Sequence, residues 1–123
     1  MNPTEEQIAD RLPVWEALSE FFLDTELQPD DYARIAGKLA ATTYTEDEIE
    51  DILVCEVCPI CRWNMLCIAG EWAGFDPEWL KKRIGPRYGK QVKFRRLFEL
   101  RHRGIYAPHW NEVRARILEI RTK

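Results

Sequence analysis

Four cysteines fall close together, at Cys55, Cys58, Cys61 and Cys67, in the pattern C-x2-C-x2-C-x5-C. Thiolates at this spacing can hold zinc or an iron–sulfur cluster, and Cys58-Pro59-Ile60-Cys61 has the form of half a zinc ribbon. A ribbon needs a second such pair, and none occurs elsewhere in the chain. The last interval departs from the usual ferredoxin runs. Val57, Ile60, Met65 and Leu66 lie between the thiols and have the composition of a helix core, whereas metal knuckles turn through glycine and polar residues. On a helix, Cys55 and Cys58 are neighbours and Cys61 lies almost another turn on, so the thiols read as small buried hydrophobes. His102 and His109 could complete a site, but both sit among basic or aromatic neighbours. The expectation is no cofactor, with zinc or iron–sulfur ligation by the four cysteines as the rival.

Other chemistry is thin. There is no nucleophile elbow, phosphate loop, dinucleotide fingerprint or His-Glu-x-x-His pair. Glu71, Asp76 and Glu78 could converge as paired carboxylates, but Asp76 suits a helix cap and Glu78 the dipole behind it. Trp63, Trp72, Phe75 and Trp79 form an aromatic belt whose spacing favours packing over a ligand cage. The expectation is a protein without catalytic activity.

Charge carries more information. The first 58 residues hold 15 Asp and Glu against 3 Lys and Arg, net −12, and the rest hold 6 against 15, net +9. Asp24, Glu26, Asp30 and Asp31 form one acidic cluster; Glu46, Asp47, Glu48, Glu50 and Asp51 form another. Carboxylates are favoured at helix starts, yet these nine exceed what capping requires. Asp24, Glu26, Asp30, Asp31, Glu46, Asp47, Glu50 and Asp51 are therefore the candidates for steering a basic protein partner, such as a basic toxin domain.

The mirror case is Lys81, Lys82, Arg83, Arg87, Lys90, Lys93, Arg95, Arg96, Arg101 and Arg103, set against Glu99 alone. Tyr88, Phe94, Phe98 and Tyr106 interleave with them, a composition that could track a phosphate backbone. A pI near 5.5 is acidic for a nucleic-acid binder. A further reading needs no ligand: acidic and basic halves could pair between two copies in a homodimer.

Helices must position these groups. Thr4 with Gln7 is a capping box opening a stripe of Ile8, Leu12, Trp15, Leu18 and Phe22, which Pro13 either kinks or divides. Pro29-Asp30-Asp31 starts a second helix. Thr45 with Glu48 caps a third, carrying Ile49, Ile52, Leu53 and Val57, which Pro59 ends or bends. Asp76-Pro77 opens a short helix that Gly85-Pro86 stops. Lys90 to Arg103 reads as helical, although Val92, Phe94 and Phe98 also suit a strand, and Pro108 precedes a last helix bearing Trp110, Val113, Ile117 and Ile120. No strict alternation or hairpin turn signals a sheet.

The fold class expected is all-α, a compact single domain of five to seven short helices. At 123 residues the chain can bury a real core, and 46% hydrophobic content argues against disorder. No apolar run approaches the length that crosses a bilayer. The N-terminus is polar and acidic, unlike a secretory signal, so a cytoplasmic location away from membranes is expected.

Arg11-Leu12-Pro13-Val14-Trp15-Glu16-Ala17-Leu18-Ser19-Glu20-Phe21-Phe22-Leu23-Asp24-Thr25-Glu26-Leu27 resembles the opening of a family of small bacterial proteins of unknown function. Ala69-Gly70-Glu71-Trp72-Ala73-Gly74-Phe75-Asp76-Pro77-Glu78-Trp79-Leu80 resembles its second signature. The resemblance spans about residues 8–84 within a single domain of 1–123, leaving 85–123 as a basic helical extension. It implies no activity. Size, helical pattern and acidic clusters together give the leading expectation, a non-enzymatic immunity or antitoxin-type protein that binds a basic protein partner. Nucleic-acid binding through Lys81, Lys82, Arg87, Lys90, Lys93, Arg95, Arg96, Arg101 and Arg103 is the alternative.

Overall fold

The computed structural model describes residues 3–22, 27–62, 76–91 and 94–122. Asp24, Glu26, Trp63, Cys67, Glu71, Trp72, Phe75 and Lys93 lie outside these. Among the described residues every regular element is helical.

Helix α1 spans Glu5–Ser19 and starts as its sequence demands. The Gln7 amide donates to Thr4 Oγ1 at 3.1 Å and the Thr4 amide donates to Gln7 Oε1 at 2.8 Å. Pro13 lies inside this helix without dividing it. Ala9 and Pro13 are both exposed, so the carbonyl that loses its N–H partner faces water. The neighbouring turn is held by Val14, Trp15, Ala17 and Leu18, all fully buried. A 3-10 turn, Glu20–Phe22, then buries Phe21 and Phe22.

Helix α2, Pro29–Ala40, has Pro29 in its first turn and buries Ile35, Ala36 and Leu39. Helix α3, Glu46–Ile52, is capped by Thr45 and Glu48 reciprocally, at 3.1 and 2.9 Å. It runs without a break through a π-helical turn, Leu53–Val57, into α4, Cys58–Cys61. Pro59 neither ends this rod nor leaves it an α-helix. Proline has no N–H for the carbonyl four residues back and its ring crowds that carbonyl. The carbonyl is that of Cys55, and it accepts instead from Arg87 Nε and Nη2 at 3.3 and 3.0 Å. The π turn just upstream is where the register slips to accommodate this.

Asp76 caps α5, Pro77–Ile84, and Gly85–Arg87 continues as a 3-10 turn. Gly89 takes φ 72°, the left-handed region that favours glycine, and swings the chain toward the last helix.

Helix α6 corrects the expectation of a separate last helix after Pro108. It is one element of 27 residues, Arg95–Arg121, with Pro108 inside. Pro108 and Gly104, whose carbonyl it frees, are both exposed, so the missing bond falls on the wet side as at Pro13. The helix is accordingly long rather than short. Tyr106, Trp110, Val113 and Ile117, at i, i+4, i+7, i+11, bury its C-terminal half. This half lies along α2, and α1 packs against both α2 and α5. Trp15, Phe21, Phe22, Leu39, Ile49, Leu53, Leu80 and Trp110 meet in one core. The result is an all-α single domain, and no helix among the described residues is long and apolar enough to cross a membrane.

Candidate functional site

The buried carboxylate of Glu56 is the chemical centre of the fold. The π turn aims it inward, where it is 3% exposed. It accepts hydrogen bonds from Arg11 Nη1 at 2.6 Å, Trp15 Nε1 at 2.9 Å and the Gly89 amide at 3.1 Å. Arg11 is fixed in turn: its Nε donates to Tyr44 Oη at 3.1 Å, and Tyr44 donates to Asp10 at 2.6 Å. The guanidinium lies over the Tyr88 ring at 4.2 Å and the Tyr44 ring at 5.1 Å. Burial alone would lower the Arg11 pKa, but the Tyr44 hydrogen bond and the Glu56 charge outweigh it and push it up. Burial and Asp10 push the Tyr44 hydroxyl up as well. One carboxylate thus ties α1, the π turn and the loop after α5 together.

Above this pair lies an open cleft of about 180 Å³, lined by Arg11, Tyr44, Glu48, Asp51, Lys90 and Gln91 among others. That is below the ~300 Å³ where small-molecule sites begin; it has room for a single side chain or small polar group. Arg11 and Glu56 are spent on each other, so neither is a free acid or base in the cleft. Neither residue stood out in the sequence. The available signal was a lone acid in the apolar run Ile52 to Cys61 and a lone arginine in the first helix of an acidic half.

The acidic candidates are placed mostly against the chain's own basic half. Glu46 pairs with Arg121 at 3.2 Å, Asp47 with Arg114 at 3.5 Å, and Asp51 with Arg95; Glu50 accepts from Trp110 Nε1 at 3.0 Å. The charge segregation therefore docks α3 on α6 within one chain. Asp31 accepts from the Gln28 amide at 2.8 Å, and together with Glu20 it pairs with Arg34. The Gln28 and Arg34 hydrogen bonds hold the Asp31 carboxyl below its usual range. Of the described candidates Asp30 alone is exposed and without a partner.

The basic candidates divide. Lys81 pairs with Glu78, Arg87 holds the Cys55 carbonyl, Arg83 stands over Trp79, and Arg95 bridges Asp51 and Glu99. The side chains of Lys82, Lys90, Arg96, Arg101 and Arg103 make no ion pair or hydrogen bond among the described residues, and all five residues are exposed. Arg96, Arg101 and Arg103 share the N-terminal half of α6 with Leu97 and Leu100, 65% and 69% exposed, and Phe94 at the N-cap just before the helix is 68% exposed.

Cys55, Cys58 and Cys61 are buried free thiols. Burial pushes Cys58 up to about 12 and Cys61 higher still, the direction expected of inert buried thiols. Among the described residues no three His, Cys, Asp or Glu side chains group as metal ligands. Both histidines serve α6. His109 Nδ1 shares a hydrogen bond of 2.7 Å with Tyr32 Oη and stacks on Phe21, and His102 Nε2 accepts from Arg62 Nη1 at 2.5 Å.

No curated protein and no solved structure matches the chain. A family model does match, over residues 9–117, so the basic segment and most of α6 lie inside the match. The chain belongs to the family described as a domain of unknown function, DUF7079.

Proposed function

We propose that this is a non-catalytic binding protein whose partner is another protein, engaged through the N-terminal half of α6. The observation that supports this is where charge is left over. The fold consumes most of the acidic cluster at 46–51 internally, whereas Arg96, Arg101 and Arg103 remain unpaired beside three large exposed apolar side chains. Scattered exposed hydrophobics are ordinary, but a contiguous group rimmed by charge is the usual composition of an interaction patch.

An immunity-type role keeps this outline. Its acidic docking face draws less support, since Asp30 is the described candidate still free to meet a basic toxin. Nucleic acid is the second reading, favoured by the same unpaired arginines, and it requires binding that falls steeply with salt.

Affinity capture with the full chain tests the proposal. The wild type retains a specific protein, Asp30→Lys retains it too, and R96E/R101E releases it. Failure to capture any protein, or capture indifferent to the arginines, refutes the α6 surface. Nucleic acid retained at low salt and lost with Arg96 and Arg101 would replace it with the second reading.

A further inference from the structure

We infer that the solvent face of the N-terminal half of α6 is a docking strip for an acidic amphipathic helix of a partner protein. The inference rests on the binding-protein reading and specifies the occupant. At about 100° per residue, Leu97 and Gly104 lie roughly opposite the buried Tyr106 and Trp110. Leu100 lies between them along the axis and about 60° round from Leu97, so the apolar crown runs 97, 100, 104, the i, i+3, i+7 spacing of a helix–helix seam. Arg96 and Arg103 flank it on one side and Arg101 on the other. The strip is an apolar seam between two cationic rails.

Gly104 is the second observation. Glycine inside a helix costs stability relative to alanine. A Cβ at Gly104 would meet nothing within 4 Å, so no packing in the chain requires its absence. The proline four residues on does not require it either, since Pro13 in α1 is tolerated behind Ala9. What a glycine on the crown does allow is close approach of another backbone.

The rails select the occupant. A second α6 laid on the first would set arginine against arginine, which disfavours a second copy. Nucleic acid stacks on successive aromatic rings; Phe94 offers one such ring at the end of the strip, and the crown at 97, 100 and 104 offers none. A helix with leucines at seam spacing and Glu or Asp beside them satisfies both features at once.

The test is fluorescence anisotropy of the full chain with a synthetic acidic helix, leucines at heptad positions and glutamates beside them. A scrambled peptide of equal composition, anionic phospholipid vesicles and single-stranded DNA are the comparisons. The patterned helix binds; R96E/R101E weakens it on the order of tenfold or more, about the loss of two charge-assisted contacts. Gly104→Ala raises the melting temperature yet also weakens binding about tenfold. Gly37→Ala, likewise in open space on α2, raises the melting temperature and leaves binding alone. Equal binding of the scrambled peptide, or tighter binding of vesicles or DNA, overturns the inference. So does a photoreactive residue at position 97 that cross-links to residues 63–75 of its own chain or to a second copy. Arginine-dependent capture of a protein without helix binding also overturns it, and leaves the binding-protein reading standing.

Discussion

Glu56→Gln removes one charge from the centre of the molecule and almost no volume. Trp15 Nε1 keeps an acceptor in the new amide, but the Arg11 guanidinium loses its counter-ion where its side chain is only 12% exposed. Stranding one partner of a buried pair costs about 3–5 kcal/mol. Tyr44 still accepts from Arg11 and the Tyr88 ring still faces it, so the low end, about 3 kcal/mol, is the expected loss. An unfolding entropy of about 2.1 cal/mol/K per residue over 123 residues is roughly 0.26 kcal/mol/K, so the melting temperature falls by about 12 °C. Arg11→Met should cost as much or more by leaving Glu56 the stranded charge. The double variant should be less damaged than the sum of the singles, because neither charge is then unpaired. Thermal melts by circular dichroism at pH 7.5 measure all three. A fall below about 3 °C for Glu56→Gln, or strict additivity in the double variant, would refute the view of this pair as the fold's electrostatic centre.

Two further outcomes follow from α6. Burial pushes His109 below its ordinary 6.5, and burial followed by Arg62 and Arg101 does the same to His102. Unfolded chains then bind these protons more readily, so stability is complete above about pH 7 and is lost as pH falls through 6.5 toward the folded-state values. Melting temperatures that stay level from pH 7.5 to 5.5, or a His102→Asn/His109→Asn variant with the same slope as wild type, would contradict this. Arg121 donates to the carbonyls of Leu39, Ala40 and Thr42 at the end of α2 and pairs with Glu46. Arg121→Ala should therefore cost about 1–2 kcal/mol. Arg114→Ala breaks only the exposed 3.5 Å pair with Asp47 and should change stability by less than about 0.5 kcal/mol. Urea titration separates the two, and equal losses would show that surface charge in general, rather than carbonyl capture, holds the helix end.

What the sequence made legible was local. Thr4 with Gln7, Thr45 with Glu48, Pro29 and Asp76 mark helix starts through residues three or four apart, and each start is where those residues put it. Pro108 was misleading because a proline's effect depends on whether the carbonyl it frees is wet, and only the packing of α6 on α2 decides which side that is. Glu56 was illegible for a similar reason. Its donors Arg11 and Trp15 are an i, i+4 pair on α1, but no spacing rule links that pair to Gly89 or to Glu56 itself. The charge segregation was visible as a total. Its resolution into Glu46–Arg121, Asp47–Arg114 and Asp51–Arg95 pairs needed the fold, and it left Arg96, Arg101 and Arg103 of α6 unpaired while those three carboxylates of α3 gained partners.

The π turn at Leu53–Val57 also sets how this chain can change length. Geometrically, a π turn is an α-helix carrying one residue too many. Removing a residue there would let α-helical register resume while the stretches on either side kept nearly the same facing, because the wide turn has already absorbed the extra residue's rotation. Cys58 and Cys61 would stay on the buried side, but Pro59 would confront the carbonyl four residues before it with no widened turn to make room. The segment stores one residue of slack within a single rod. A relative one residue shorter there should lack the proline, and one that gained a second residue would swing Cys58 and Cys61 about 100° off the core.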